Sequence, residues 1–191
     1  GYIKRTPLAD FRAQRRGGKG VGGMQTKEED VVTTLFVANT HTQLLFFTTD
    51  GMAYKLKTWR LPQGSRTSKG KAIVNILPMP VGASVAAILP IDRDEKDWAD
   101  LQVTFATSAG TVRRNALSDF TNVKSNGKIA MKFEGEHAET KLINVRITAP
   151  DDDVMLVTNS GRAIRFRAND VRVFNSRAST GVRGIKLNGD D

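Results

Sequence analysis

Gln14-Arg15-Arg16-Gly17-Gly18-Lys19-Gly20 sets three fixed positive charges among three glycines, with one amide at the start. Arginine and lysine neutralise phosphate, the first through a planar fork of donors and the second as a point charge. Glycine opens dihedrals closed to other residues and lets a backbone lie close to a surface. A short cationic loop of this kind suits the sugar–phosphate backbone of a polyanion. A nucleotide site fits less well. Gly18-Lys-Gly-Val-Gly-Gly23 satisfies GxGxxG as a string, but no apolar strand precedes it and no long helix clearly follows. Lys19 is followed by Gly20 where a Walker loop needs Ser or Thr.

The whole chain shares this electrostatic bias. Its 191 residues carry a net charge of +9 and a pI near 10.0, which points to a polyanionic partner, nucleic acid before membrane. Residues 1–20 hold Lys4, Arg5, Arg12, Arg15, Arg16 and Lys19 against Asp10 alone, so over half of the net charge sits there. There is no cysteine, which excludes disulfides and thiolate metal sites and fits a cytosolic protein. No apolar run reaches the roughly 18 residues of a spanning helix. Catalysis has little support. His41 and His137 lack partners at motif spacing, and Asp151-Asp152-Asp153 lacks calcium-loop spacing and reads as a solvated loop. Tyr2 and Tyr54 sit in strand-like runs and are not nominated as nucleophiles. Trp59 and Trp98 are expected to pack between repeats or at an edge.

The elements that position these residues repeat along the chain. Leu44–Gly51, Val103–Gly110 and Val154–Gly161 are each a short apolar run with Thr three places before Gly, at Thr48, Thr107 and Thr158. They read as strands closed by hairpin turns in which Gly supplies positive φ. Four places after each turn glycine stands a cation, Lys55, Arg114 or Arg165, and Gly1 has Arg5 there. A polar loop then leads to a second glycine and another strand, 70–77, 127–133 and 181–187, with Gly20-Val-Gly-Gly-Met24 as the first counterpart. Short strands at this regular period imply propeller blades or a β-solenoid. The repeats span approximately 1–24, 31–79, 85–135 and 142–189, within one domain covering 1–191. Asp92–Asp100 reads as an acidic insertion forming a helical turn or a loop. Period-two alternation in Met52–Lys57 and Arg162–Arg167 predicts half-buried strands with Lys55, Lys57, Arg165 and Arg167 on a cationic outer face. Arg113 and Arg114 take the matching place in the third repeat. Arg66, Lys69, Lys71, Lys124, Lys128, Arg177 and Arg183 lie in or beside the polar loops.

The run at 14–20 is similar to the heptapeptide box of the DNA gyrase A family, QRRGG followed by Arg or Lys and then Gly, and Gly1–Ala13 resembles the segment that precedes that box. Arg60–Leu77 looks like the family's second blade, so the resemblance extends over essentially the whole chain. It implies an all-β β-pinwheel, a propeller-like disc of four-stranded blades that exchange strands, with about four of six blades present here. It also implies non-sequence-specific binding, bending and wrapping of double-stranded DNA that directs strand passage toward negative supercoiling. By the resemblance, Gln14, Arg15, Arg16, Gly17, Gly18, Lys19 and Gly20 are the wrapping box. Lys4, Arg5, Arg12, Lys55, Lys57, Arg66, Lys69, Lys71, Arg113, Arg114, Lys128, Arg165, Arg167 and Arg183 are candidate rim contacts. The family further implies partnership with the remainder of gyrase A and with gyrase B, a cytoplasmic, nucleoid-associated setting, and no cofactor in this segment. The cleavage tyrosine and the ATP and Mg2+ of the holoenzyme would lie elsewhere. The matching domain of topoisomerase IV, which lacks an intact box, and a propeller serving protein interaction are the alternatives. The chain opens on Gly1 instead of Met and ends after a strand-like run, so it reads as a piece of a longer polypeptide.

Overall fold

The computed structural model describes residues 1–26, 30–189 and 191. Lys27, Glu28 and Glu29, in the run after the box glycines, and Asp190 near the chain end lie outside them. The fold is all-β, with 3-10 turns in place of longer helices. In chain order the strands are β1 (Tyr2–Ile3), β2 (Gln43–Thr48), β3 (Met52–Lys57), β4 (Lys71–Ala72), β5 (Val85–Ile91), β6 (Gln102–Thr107) and β7 (Thr111–Ala116). These are followed by β8 (Lys128–Ile129), β9 (Leu142–Thr148), β10 (Asp153–Val157), β11 (Ala163–Arg167), β12 (Val173–Phe174) and β13 (Val182–Arg183).

The three hairpins β2–β3, β6–β7 and β10–β11 stand where the apolar runs predict them. Gly51, Gly110 and Gly161 have φ of 84°, 74° and 84°. The recurring threonine has a bonding role: the hydroxyls of Thr48, Thr107 and Thr158 accept the N–H groups of Met52, Thr111 and Arg162 at 3.2, 3.3 and 3.2 Å. All three threonines are buried, and the bond secures the first strand residue after the turn.

Strands are exchanged between repeats. β4 pairs with β1, β8 with β3 and β13 with β7, each antiparallel and each joining a second-glycine segment to the strand that begins one residue after Gly1, Gly51 or Gly110 in the preceding repeat. These strands are two residues long, shorter than the runs 70–77, 127–133 and 181–187 suggest. The chain leaves the sheet because its next amides turn to a different acceptor. Ala130 and Met131 both donate to Gly51 O at 2.8 and 3.0 Å, and Gly184 and Ile185 both donate to Gly110 O at 2.9 and 3.0 Å. The complete second sheet runs β5-β2-β3-β8, and the third runs β9-β6-β7-β12 with β13 also on β7.

Both faces of the second sheet are covered, which explains the unbroken apolar run of β2. One face carries Leu44, Phe46 and Tyr54 in a cluster with Leu61, Ile73 and Leu77. The other carries Leu45, Phe47 and Ala53, which meet Val103, Phe105, Leu117 and Phe120 of the third repeat. Phe47 stands edge-on to Phe105 and Phe120, with ring centres 5.4 and 5.3 Å away. The acidic stretch contributes a 3-10 turn, Glu95–Asp100, whose Trp98 is fully buried in this cluster and donates its indole N–H to Arg93 O. A cleft of about 800 Å³ separates the third sheet from β10–β11, whose Met155 and Val157 are exposed.

A Cβ on Gly51 would lie 2.2 Å from Met131 O, whereas one on Gly161 would meet nothing at the same φ. Gly161→Ala should cost only the left-handed backbone strain, about 1 kcal/mol. Gly51→Ala should cost about 3 kcal/mol, strain and overpacking together. Urea unfolding of the two variants measures the difference.

Candidate nucleic-acid interface

A 3-10 turn begins seven residues after each turn glycine, at Leu8–Asp10, Thr58–Arg60, Leu117–Phe120 and Ala168–Asp170. Each repeat's polar loop starts there. The box occupies this loop in the first repeat, between Asp10 and Gly20. Gly18 N donates to Arg15 O at 3.0 Å, closing a four-residue turn with Gly17 at its third position and φ of 79°. Positive φ there is the requirement of a type II turn, and glycine meets it at least cost. Arg16 therefore sits at the tip. Arg12, Arg15, Arg16 and Lys19 are all exposed and form no ion pair with the described residues. The backbone of Gly20 is open, with nothing near a notional Cβ.

Both ends of this loop are tied to the polar loop of the second repeat. On the entry side, Arg5 N donates to Pro62 O and Gly64 N to Arg5 O, each at 3.0 Å. On the exit side, Gln25 N donates to Thr67 O at 3.1 Å and Arg66 Nη1 donates to Gly22 O at 2.7 Å. The charges are thus carried on a closed loop.

The recurrent strand cations have a different place from the one alternation predicts. Lys4 Nζ donates to Ser65 O and Arg66 O at 2.8 and 2.6 Å, and Arg5 Nε to Leu61 O at 2.9 Å. Burial, and then the charge of Arg66, lower the Lys4 pKa. Lys55 pairs with Glu95 at 2.6 Å, donates to Thr121 O and lies 5.7 Å from the Trp98 ring centre. Arg113 is 0% exposed, bonded to Asn115 Oδ1, Ala130 O, Arg177 O and Ser179 O. Burial pushes its pKa down to about 10, with Asp119 opposing that shift and Arg177 adding to it. Arg114 is buried too, with one donor on Asn169. In each case the cation of one repeat reaches the polar loop of the next.

Arg113 and Arg114 are therefore inter-repeat staples, and their expected place on an outer charged face is corrected. The reason is geometric: Arg113 stands opposite Phe105 and lies over its ring at 4.8 Å, so it shares the face that meets the second repeat, and Arg114 on the other face reaches Asn169 of the fourth. Lys55 is likewise largely enclosed, and Lys128 Nζ donates to Asp119 O at 2.7 Å. Among the remaining nominated residues, Lys71, Arg165, Arg167 and Arg183 are exposed. Lys57 donates to His41 O, Lys69 lies over the Tyr2 ring at 4.0 Å, and Arg165 and Arg167 approach Asp153 at 3.6 and 3.7 Å. One exposed pair is not marked by the repeat pattern: Arg60 stacks on the half-exposed Trp59 at 5.3 Å. The adjacent Trp-Arg after Lys57 is its only signal in the sequence.

No group of three or more His, Cys, Asp or Glu among the described residues is arranged to hold a metal, and no described helix is long and apolar enough to cross a membrane.

Known proteins share this geometry and much of this sequence. A family model described as DNA gyrase C-terminal domain, beta-propeller, matches residues 1–39, 42–92, 102–140 and 152–191. The chain is 44% identical over 191 residues to the gyrase A protein of Rickettsia bellii and 48% identical over 190 residues to that of Granulibacter bethesdensis. These alignments cover 100% and 98% of the chain but 21% and 20% of the relatives, so the chain spans about a fifth of their length. Among solved structures, the C-terminal domain of DNA topoisomerase IV superposes with a TM-score of 0.79 and that of DNA gyrase A with 0.70. Each is 24% identical and covers 99% of this chain, with 55% and 58% of the other chain matched.

Arg113→Ala should leave the buried Ala130 carbonyl and the part-buried Arg177 and Ser179 carbonyls without this donor, together with a cavity, and cost about 3 kcal/mol or more in urea unfolding. Arg16→Ala, at an exposed turn tip, should leave the unfolding midpoint unchanged.

Proposed function

The chain belongs to the DNA gyrase A C-terminal domain family, and from that premise we propose that it binds duplex DNA without sequence preference, bends it, and fastens it at the loop of residues 14–20. The observation that carries this reading is the turn at Arg15–Gly18, which holds Arg15, Arg16 and Lys19 exposed and unpaired among the described residues. Phosphate contacts position a duplex and carry no base code, so low sequence preference follows. Open backbone at Gly17 and Gly20 lets the loop approach the duplex closely and adds N–H donors.

The loop does not suffice for a wrap. Three phosphate contacts give a slope of log K against log salt of about −2.7, or roughly a forty-fold loss between 50 and 200 mM. Bending a site of 20–30 bp costs about 1–6 kcal/mol. Further contacts are assigned to the exposed cations Arg12, Lys71, Arg165, Arg167 and Arg183 and to the half-buried Lys57 and Lys69. Lys4, Arg5, Lys55, Arg66 and Lys128 act through the polar loops they hold.

In the longer protein the wrapped segment is presented to the strand-passage gate with fixed handedness, which biases the reaction toward negative supercoiling. The remainder of gyrase A supplies the cleavage tyrosine, and gyrase B supplies the site for ATP and Mg2+, in a cytoplasmic, nucleoid-associated enzyme. The intact heptapeptide favours gyrase over topoisomerase IV, whose likeness at 24% identity is one of fold.

Binding of a mixed-sequence duplex should fall steeply with salt. Replacing Arg15, Arg16 and Lys19 by Ala should flatten the slope by about 2.7. In the intact enzyme the same triple variant should lose supercoiling and keep relaxation. Salt-independent binding, or supercoiling that survives the triple substitution, refutes the assignment.

A further inference from the structure

Arg66 stands among the cations nominated for phosphate, yet its guanidinium points at protein. Nη1 donates to Gly22 O at 2.7 Å across 44 residues of chain. The neighbouring Thr67 O accepts from Gln25 N, and Lys4 Nζ holds Arg66 O at 2.6 Å. Arg66 is itself only partly exposed. The contact also recurs. Arg66 lies four residues before Gly70, and its acceptor lies two residues after Gly20. Arg177 lies four residues before Gly181 and donates to Ile129 O, two residues after Gly127. Gly70 and Gly181 both have positive φ, 82° and 96°, so the two arginines sit at equivalent points of equivalent loops.

We propose that Arg66 is a positioning residue for the DNA-fastening loop: it locks the exit end of residues 6–25 onto the second repeat, so that Arg15, Arg16 and Lys19 are presented as one preorganised cluster. This rests on the DNA-binding reading of residues 14–20 and extends it to a residue that touches no DNA. A loop of about twenty residues tied at one end only would lose conformational entropy on each binding event. Tying both ends moves that loss into folding, and affinity rises without any new phosphate contact. A positioning role and a direct phosphate contact differ in salt dependence. Removing a contact flattens the slope by about 0.9, whereas removing a positioner lowers affinity at constant slope.

The test uses the 191-residue chain and a mixed-sequence duplex. Arg66→Ala should speed tryptic cleavage after Arg12, Arg15, Arg16 and Lys19 about three-fold or more without DNA, because local opening governs cleavage. It should weaken duplex binding about three- to ten-fold at roughly 150 mM salt, with the slope unchanged. Arg66→Lys, which keeps one donor for Gly22 O, should recover part of both effects. Gln25→Pro, which deletes the amide bonded to Thr67 O at an exposed site, should reproduce them without touching any cation. Arg15→Ala is the reference for a direct contact, with a slope lower by about 0.9. Unchanged cleavage in Arg66→Ala overturns the proposal, as does a slope that falls with that of Arg15→Ala. Because cleavage is measured without DNA, its outcome stands whether or not the triple substitution refutes DNA fastening.

Discussion

One bonding arrangement governs the architecture: the carbonyl of a turn glycine accepts two consecutive amides from the following repeat. Gly51 O takes Ala130 and Met131 and Gly110 O takes Gly184 and Ile185, while Gly1 O takes Ile73 alone. At Gly51 and Gly110 the acceptor must be reached by foreign backbone at a distance that excludes a side chain, which is why glycine stands there with positive φ. Once the amides are drawn to this point, the exchanged strand pairs for only two residues and then departs. Sheet order, the facing of Phe47 on Phe105 and Phe120, and the enclosure of the second sheet on both sides all follow.

Enclosure in turn decides what charge can do. A cation on an inner strand lies between repeats, so it bonds the neighbour's loop carbonyls, as Lys55 and Arg113 do. Exposed charge is left to the loops and to short or outer strands such as β4, β11 and β13. The first repeat answers with a turn whose tip carries Arg16 and whose third residue, Gly17, supplies the required φ. Enclosed and exposed cations thus share one residue class and are separated by topology alone.

Much of this was legible in the residues. The turn glycines, the paired glycines and the recurring threonine gave the hairpins and their order, because each answers a local backbone demand. The exposed cationic turn at residues 14–20 was legible because seven consecutive residues carry both charge and glycine. The fate of the strand cations was not, since period-two alternation sorts side chains into two faces without saying whether a face meets solvent or another sheet. Arg113 reads identically in either case. The brevity of β4, β8 and β13 was hidden because it depends on an acceptor in the preceding repeat. Trp98 was expected to pack, but its role as the plug of the acidic insertion depends on Lys55 and Leu117, distant in sequence.

The doubly tied loop has a mechanical meaning. Stiff DNA held in a curve pulls on whatever restrains it. A loop fixed at one end would pass that tension to its attachments one hydrogen bond at a time, as a zipper opens. Here the bonds of Arg5 and Gly64 at one end and of Gln25 and Arg66 at the other lead into the same segment, residues 61–67. Tension on the tip is therefore shared among them and delivered toward the second sheet, whose Phe47 packs on Phe105 and Phe120.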